Sequence, residues 1–191
     1  MRLLHIDSSI QGAGSASRAI SAAVVARLKD DAPSIEIGYR DLVAQPLPHL
    51  TLDVLADPAA NVELQAFLAA DIVVIGAGFY NFSIPSQLKA WLDRILIAGQ
   101  TFSYGPDGPQ GLAGGKRVIV ALTRGGFYGE GAPGAPHEHG ETYLKSALGF
   151  IGIAPEFVVA EGLALGDEAR AAGVAGALSA ARGLAGTAAT A

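Results

Sequence analysis

Residues 71–91 read DIVVIGAGFYNFSIPSQLKAW and join a buried-strand pattern directly to the start of a helix. The β-branched run at 71–75 is typical of a parallel strand that is covered by helices on both faces. Apolar residues then recur at helical spacing over 88–96, and Pro85 suits the first turn of that helix. The aromatic and amide-rich loop between the two elements is therefore expected at the carboxyl end of a strand, where open α/β sheets bind ligands.

The rest of the chain alternates strand patterns with helix patterns. Strands are predicted at residues 3–6, 35–39, 71–75, 118–122 and 157–160. Helices are predicted around 20–28, near 61–70, around Trp91, at 141–148 and from about 167, with loops at 105–115 and 124–140 and a frayed tail at 186–191. The period-two pattern at 35–40 places the second strand, half exposed, at a sheet edge. This order predicts an α/β fold with a doubly wound five-stranded parallel sheet, helices on both faces and right-handed crossovers.

Length, composition and charge indicate what kind of protein this is. A chain of 191 residues, half of them hydrophobic, can bury a full core, and we expect a single domain over residues 1–191. The chain has no cysteine, which excludes disulfides and thiolate chemistry and is compatible with a reducing cytosol. Asp7 interrupts the amino terminus before a signal-peptide segment can form, and no apolar run reaches transmembrane length. With a formal charge of -5, the expectation is a cytoplasmic protein that binds neither nucleic acid nor membrane.

A loop rich in serine and glycine follows the first predicted strand and leads into a helix. This serine loop, residues 8–18, reads SSIQGAGSASR. Glycine permits tight turns, and free N–H groups at a helix start favour an anion. The loop lacks the lysine of a P-loop, and Ser17 stands where the dinucleotide fingerprint has its third glycine. A small-residue turn capped by Ser15 or Ser17 is the structural alternative, but beside the aromatic loop we favour phosphate binding.

A third loop follows the fourth predicted strand. Gly125 and Gly126 let backbone amides approach a ligand closely, and Arg124 could offset negative charge on a reduced ring. The alternative is an ordinary turn with a solvated arginine. Loops after strands one, three and four converge at the crevice of a flavodoxin-like sheet with strand order 2-1-3-4-5. A phosphate site, a ring clamp and a glycine platform in one cleft match the parts of flavin mononucleotide (FMN).

The chain resembles the FMN-dependent NADH:azoreductase family, which is related to flavodoxin-like NAD(P)H quinone oxidoreductases. The matching motifs span nearly the whole chain and lie at residues 4–9, 14–18, 80–89, 98–104, 108–112, 124–126, 148–152 and 160–162. The resemblance implies a prosthetic FMN that takes hydride from NADH or NADPH and passes it, in a ping-pong reaction, to a quinone or azo compound. It also implies a homodimer with each flavin near the subunit interface.

The resemblance further implies which residues contact the cofactor. They are Ser9, Ser15, Ala16 and Ser17 at the phosphate, Phe79, Tyr80, Asn81 and Phe82 at the isoalloxazine ring, and Thr123, Arg124, Gly125 and Gly126 from the next loop. The backbone N–H groups near Asn81 and Phe82 are expected to hydrogen-bond the N5 and O4 edge of the ring. Two departures from the family are the pair Gly78-Phe79, where a Pro-Met pair is expected, and a short connection over 45–61.

No catalytic side chain is assigned with certainty, because the cofactor carries the reaction. The candidates are Asn81, Tyr104 and Arg124. Tyr104 and Phe102 have two interpretations: they cover a stacked substrate, or they anchor their loop by burial. We expect no metal, since the histidines around Glu138 lack a third ligand. Two rival functions remain: a flavodoxin-type electron carrier and an FMN-binding regulatory protein.

Overall fold

The structure is a computed structural model that describes residues 1–186, and residues 187–191 of the predicted frayed tail lie outside that range. The described strands are β1 (Arg2–Asp7), β2 (Glu36–Asp41), β3 (Ile72–Gly78), β4 (Phe102–Gly105), β5 (Gly108–Gly111), β6 (Arg117–Thr123) and β7 (Glu156–Ala160). The α-helices are α1 (Ala16–Asp31), α2 (Leu52–Ala56), α3 (Val62–Ala69), α4 (Ser86–Ile95), α5 (Glu141–Phe150) and α6 (Asp167–Arg182). Short 3₁₀ turns lie at Gly12–Gly14 and Ala135–His137.

The main sheet has five strands in the order β2-β1-β3-β6-β7. Its neighbouring strands are all parallel, so β6 and β7 are the fourth and fifth strands of the predicted sheet and the predicted order is confirmed. The edge position of β2 is also confirmed, because β2 is the last strand on one side of this order. Its apolar residues Ile37 and Tyr39 are nevertheless 39% and 56% exposed, so the strand is less buried than its alternation predicts. The order reverses between β1 and β3, which places the crevice of the sheet beside the aromatic loop.

Two hydrophobic layers cover the faces of this sheet. Alternate residues of β3 enter opposite layers, as the pleat of a strand requires: Val73 faces one and Val74 the other. The Val74 layer contains side chains of α1 and α6, and the Val73 layer contains side chains of α3, α4 and α5. Trp91 is fully buried there and meets Phe67 edge to face at 5.9 Å, which confirms the packing role predicted for it.

One predicted loop is wrong in part. Residues 105–115 were expected to be irregular, but β4 and β5 form a short antiparallel hairpin that begins before this segment and ends within it. Gly108 adopts a left-handed φ of 105° at its turn, and Gly111 lies so close to Gly152 that a Cβ would be 2.2 Å from the Gly152 nitrogen. A backbone contact with α5's end thus stabilises a segment whose glycine and proline content gives no strand signal. The short helix α2 was not predicted either. Within residues 1–186, none of the helices is both long and apolar enough to cross a bilayer.

Candidate cofactor site

A cavity of about 210 Å³ lies at the carboxyl edge of the sheet, and all three predicted loops reach it. The lining residues from these loops are Gln11, Ala16, Gly78, Phe79, Tyr80, Thr123, Arg124 and Gly125. Leu163, Ala164 and Arg170 complete the lining from the loop after β7 and from α6. Sequence reasoning missed this last group, because the strand-order rule draws attention only to the loops after β1, β3 and β6. No motif marks Arg170 in the sequence.

The serine loop presents hydrogen-bond donors at the start of α1. Ser15 is the N-cap of this helix and accepts from the Arg18 N–H at 3.3 Å, while its Oγ lies 3.1 Å from the Ser17 Oγ. The backbone N–H groups of Ala16 and Ser17 have no acceptor among residues 1–186. Two hydroxyls and two free N–H groups at the positive end of a 16-residue helix suit an anion. Capping and anion binding are compatible, since Ser15 has lone pairs and a proton to share.

An arginine that the sequence did not single out fixes the serine loop. The Arg18 guanidinium donates two hydrogen bonds to the Ser9 carbonyl, at 3.0 and 3.3 Å, and two to the Asp41 carboxylate, at 2.7 and 2.9 Å. The hydrogen bonds from Arg18 hold the pKa of Asp41 well below its usual range. We call this group, Arg18 with the Ser9 carbonyl and Asp41, the Arg18 clamp. It ties the serine loop to the edge strand β2.

The aromatic loop, residues 78–83, contains a tight turn in which two residues are left-handed without being glycine. Asn81 and Phe82 have φ angles of 48° and 70°, between mutual backbone hydrogen bonds of Tyr80 and Ser83 at 2.9 and 3.0 Å. A non-glycine residue in this region costs about 1–3 kcal/mol, and such strain concentrates at functional sites. The N–H groups of Asn81 and Phe82 donate to no group in the described chain. Both donors are thus free, as the predicted contact with a flavin edge requires.

Tyr80 connects the aromatic loop with the serine loop. Its hydroxyl lies 3.0 Å from the Ser9 Oγ, and its ring covers Gly78, where a Cβ would stand 2.8 Å from ring atoms. Any larger residue at position 78 would therefore displace this ring. The departure from the expected Pro-Met pair has a structural consequence: glycine lets Tyr80 fold back against the first loop.

Phe79 faces the β6 loop, residues 124–140, as well as the cavity. Its ring packs against Tyr128 with centroids 4.7 Å apart, and the Arg124 guanidinium lies 5.9 Å from the Phe79 centroid. Gly140 leaves room for the ring, since a Cβ there would lie 2.9 Å from it. Phe79 thus anchors the β6 loop in addition to lining the cavity.

Arg124 is the centre of a buried charge cluster. Only 2% of its side chain is exposed, and its terminal nitrogens lie 3.0 Å from Glu161, 2.6 Å from Glu141 and 3.1 Å from Glu138. We call these four residues the Arg124 cluster. Burial raises the pKa of Glu138, but backbone N–H donors of α5 and the Arg124 charge outweigh it and leave the pKa below its usual value. Glu161 also accepts from the Tyr128 N–H at 2.8 Å.

Three carboxylates around one guanidinium leave a formal charge of −2, so the positive charge of Arg124 is already neutralised within the protein. The expected role of Arg124 in offsetting charge on a reduced ring gains no support from this arrangement. One nitrogen of Arg124 is unpaired: its Nε is buried and has no hydrogen-bond partner in the described chain, and Arg124 lines the cavity. A ligand acceptor would satisfy this orphaned donor.

Comparison with known proteins agrees with this geometry. A family profile described as a flavodoxin-like fold matches residues 1–184. An FMN-dependent NADH:quinone oxidoreductase of Methylorubrum extorquens is 56% identical over 200 residues, covering 96% of this chain and 98% of the relative. The chain belongs to this flavodoxin-like family.

Solved structures of family members have the same fold. An azoreductase from Bacillus anthracis superposes with a TM-score of 0.84 at 29% identity, covering 96% of this chain and 100% of that one. An FMN-dependent NADH-azoreductase from the same species, solved in complex with FMN, superposes with a TM-score of 0.81 at 26% identity. This match covers 94% of this chain and 97% of that one. The family resemblance inferred from the sequence motifs is confirmed.

Half of the predicted cofactor residues do not line this cavity: Ser9, Ser15, Ser17, Asn81, Phe82 and Gly126. The remaining candidates also lie outside its lining. Tyr104 is 73% exposed on β4 and contacts Phe102 edge to face, while Phe102 packs against Phe150 at 4.7 Å. Phe102 therefore anchors the hairpin, and a role for Tyr104 at a substrate stays a prediction. His137 lies 5.2 Å from the Phe82 ring. Over residues 1–186, no group of three or more His, Asp and Glu side chains is arranged to hold a metal ion.

Proposed function

We propose that the protein is an FMN-dependent NADH:quinone oxidoreductase that holds FMN in the 210 Å³ cavity. The observation that carries the proposal is the meeting of the three loops at one cavity, together with four backbone donors on two of these loops that lack acceptors in the described chain. These donors are the N–H groups of Ala16, Ser17, Asn81 and Phe82. When bound, FMN supplies a hydride acceptor for NADH or NADPH and a hydride donor for a quinone or azo compound.

In this proposal the serine loop binds the phosphate. Ser15 and Ser17 supply hydroxyls, and Ala16 and Ser17 supply free N–H groups on the axis of the α1 dipole. Ser9 lies beside them, held by Tyr80 through its side chain and by Arg18 through its carbonyl. The loop therefore needs little rearrangement when the anion arrives, which favours tight binding.

The aromatic loop and the β6 loop orient the ring. The left-handed turn fixes the N–H groups of Asn81 and Phe82 before the cofactor binds. The conformational entropy of this turn is therefore lost when the protein folds and not when FMN binds. Thr123, Gly125 and Gly126 would contact the ring from the end of β6 and from the β6 loop, where the glycines would let the backbone approach it closely. Ring orientation and exclusion of water are the protein's contributions to hydride transfer.

The donor and the acceptor need a second space beside the ring. A cavity of about 530 Å³ shares Tyr80 with the first cavity and also contacts Asn81 and Tyr143. We propose that the nicotinamide and then the acceptor occupy it in turn, as a ping-pong reaction requires. We expect quinones to be better acceptors than azo compounds. NADH is favoured over NADPH, because the sequence contains no basic cluster for a 2′-phosphate.

We extend the proposal to a cytoplasmic homodimer. Ile10 and Phe82 border the site and are 60% and 48% exposed, and apolar side chains at this exposure suit coverage by a second copy. Sedimentation equilibrium should give twice the chain mass at micromolar concentration. A monomer under these conditions would contradict the dimer but not the cofactor assignment.

Anaerobic spectroscopy tests the function. The purified protein should be yellow, should bleach when NADH is added, and should recover its colour when a quinone follows. A stable yellow protein that is indifferent to NADH and NADPH would favour the electron carrier. A yellow protein that changes its contacts with another protein on reduction, without turnover, would favour the regulatory role. A colourless protein that refuses added FMN would contradict all three functions.

A further inference from the structure

Three arginines lie around the serine loop and the cavity, and two of them are already neutralised. Arg18 is paired with the Asp41 carboxylate at 2.7 Å. Arg124 is surrounded by three carboxylates. Neither guanidinium therefore brings a net positive charge to the predicted phosphate site.

The third, Arg170, is the fourth residue of α6 (Asp167–Arg182) and differs from the other two. Its Nη2 donates to the Gly14 carbonyl at 3.0 Å, within the serine loop. Within residues 1–186 no carboxylate lies at ion-pair distance from it, although Asp167 and Glu168 precede it on the same helix. Arg170 thus brings an unneutralised charge to the loop.

The hydrogen bond to Gly14 uses only one of the five N–H donors of Arg170, and the helix dipole does not account for its position. A cation in the first turn of a helix gains nothing from the helix dipole, which favours acidic residues there. The side chain instead lines the 210 Å³ cavity together with Ala16, and it lines an adjoining groove of about 450 Å³ together with Ser15. Arg170 therefore borders the same spaces as the N-terminus of α1.

We infer that Arg170 is a binding residue for the phosphate of FMN, supplying the charge that the hydroxyls and N–H groups of the serine loop lack. The inference rests on the proposed function. A guanidinium has five N–H donors in a planar fork that matches phosphate oxygens, and the Gly14 carbonyl occupies one of them. The hydrogen bond to Gly14 holds the side chain at the loop before the phosphate binds.

The test compares FMN with riboflavin, which has the same ring and no phosphate. Apo-protein is titrated with each flavin, and binding is followed by quenching of flavin fluorescence. In Arg170→Gln the Kd for FMN should rise about 10- to 100-fold, which is the range for a lost hydrogen bond to a charged group, while the Kd for riboflavin changes less than about twofold. Arg170→Lys should recover part of the FMN affinity, because it restores the charge without the fork.

Arg182→Gln is the matched control, since it removes the same charge from the exposed far end of the same helix. It should leave both Kd values unchanged. If Arg170→Gln weakens the binding of FMN and riboflavin equally, or does not weaken FMN binding, the inference is overturned. Equal affinity of the unaltered protein for the two flavins would overturn it as well and leave ring binding intact. If the unaltered protein binds neither flavin, the proposed function fails and the inference fails with it.

Discussion

The Arg18 clamp and the Arg124 cluster both fix a loop at the same cavity, but the clamp is neutral overall, whereas the cluster carries a formal charge of −2. Arg18 has one carboxylate, that of Asp41, at hydrogen-bond distance, and it also donates to the Ser9 carbonyl and to the Tyr39 hydroxyl. Arg124 is 2% exposed and is held by three carboxylates. The comparison indicates two roles. The clamp positions the serine loop for a ligand, whereas the cluster stabilises the fold of the long β6 loop around a buried charge. Substitutions in the cluster should therefore reduce stability, and substitutions in the clamp should mainly reduce cofactor affinity.

The largest effect is expected for Arg124→Met. The substitution leaves three carboxylates facing one another in a buried space, and breaking a buried ion pair in this way costs about 3–5 kcal/mol of unfolding free energy. Urea unfolding followed by circular dichroism measures it. Lys145→Met is the matched control: Lys145 pairs with the same Glu141 but is 57% exposed, so its loss should cost less than about 1 kcal/mol. Equal effects of the two substitutions would remove the distinction between cluster and surface pair.

The clamp should respond differently. Asp41→Asn weakens the grip on Arg18 at a partly exposed site, and we expect an unfolding cost of only about 1 kcal/mol. The FMN Kd should rise by about tenfold, since the Ser9 carbonyl is no longer held in place. Glu36→Gln removes a carboxylate from the same strand, where the Arg2–Glu36 pair is 64% and 74% exposed, and should change neither quantity. A stability loss in Asp41→Asn as large as that in Arg124→Met would break the comparison.

The Arg18 clamp should also affect how the unfolding free energy depends on pH. The pKa of Asp41 is lower in the folded protein than in the unfolded chain, because Arg18 donates to its charged form. The stabilisation it provides is therefore complete above the unfolded value of about 3.9 and is lost as the pH falls below that value. A plot of unfolding free energy against pH should be flatter below about pH 4 in Asp41→Asn than in the unaltered protein. An identical slope would show that the clamp does not contribute through this carboxylate.

The sheet and the meeting of its loops could be predicted because both follow from short-range patterns. The β-branched run at 71–75 and the alternation of elements fix a parallel sheet, and the strand order then places the loops after β1, β3 and β6 together. The Arg124 cluster could not be predicted, since its partners Glu141 and Glu161 are 17 and 37 residues away and no spacing rule connects them. The Arg18 clamp and the hairpin of β4 and β5 likewise depend on contacts between distant segments. Local sequence thus predicted which loops meet at the candidate site, and ion pairs between distant segments determine how these loops are held.

The aromatic loop is held by neither the Arg18 clamp nor the Arg124 cluster. Substitutions in it test whether its strained left-handed turn contributes to cofactor binding. Asn81→Ala should raise the FMN Kd or lower turnover, because alanine tolerates the φ of 48° less well than asparagine and would shift the two free N–H donors. Asn81→Gly is the control for strain, since glycine adopts this backbone freely and should keep the affinity closer to the original. The unfolding free energy should fall by about 1 kcal/mol in Asn81→Ala and change less in Asn81→Gly. Unchanged Kd and turnover in Asn81→Ala would contradict the role of this turn.

Tyr80→Phe should give the smallest effect, and it probes the connection between the aromatic loop and the serine loop. The substitution keeps the ring that covers Gly78 and removes only the hydroxyl that lies 3.0 Å from the Ser9 Oγ. One neutral hydrogen bond at a partly exposed site contributes about 0.5 kcal/mol, so the unfolding free energy should fall by about that amount and the FMN Kd should rise no more than about two- to threefold. Gly78→Ala should be worse than Tyr80→Phe, because the added Cβ would stand 2.8 Å from the ring and displace the whole side chain. If Tyr80→Phe instead costs as much affinity as Asp41→Asn, then Ser9 is held from its side chain as firmly as from its carbonyl, and the clamp is one of two equal supports of the serine loop.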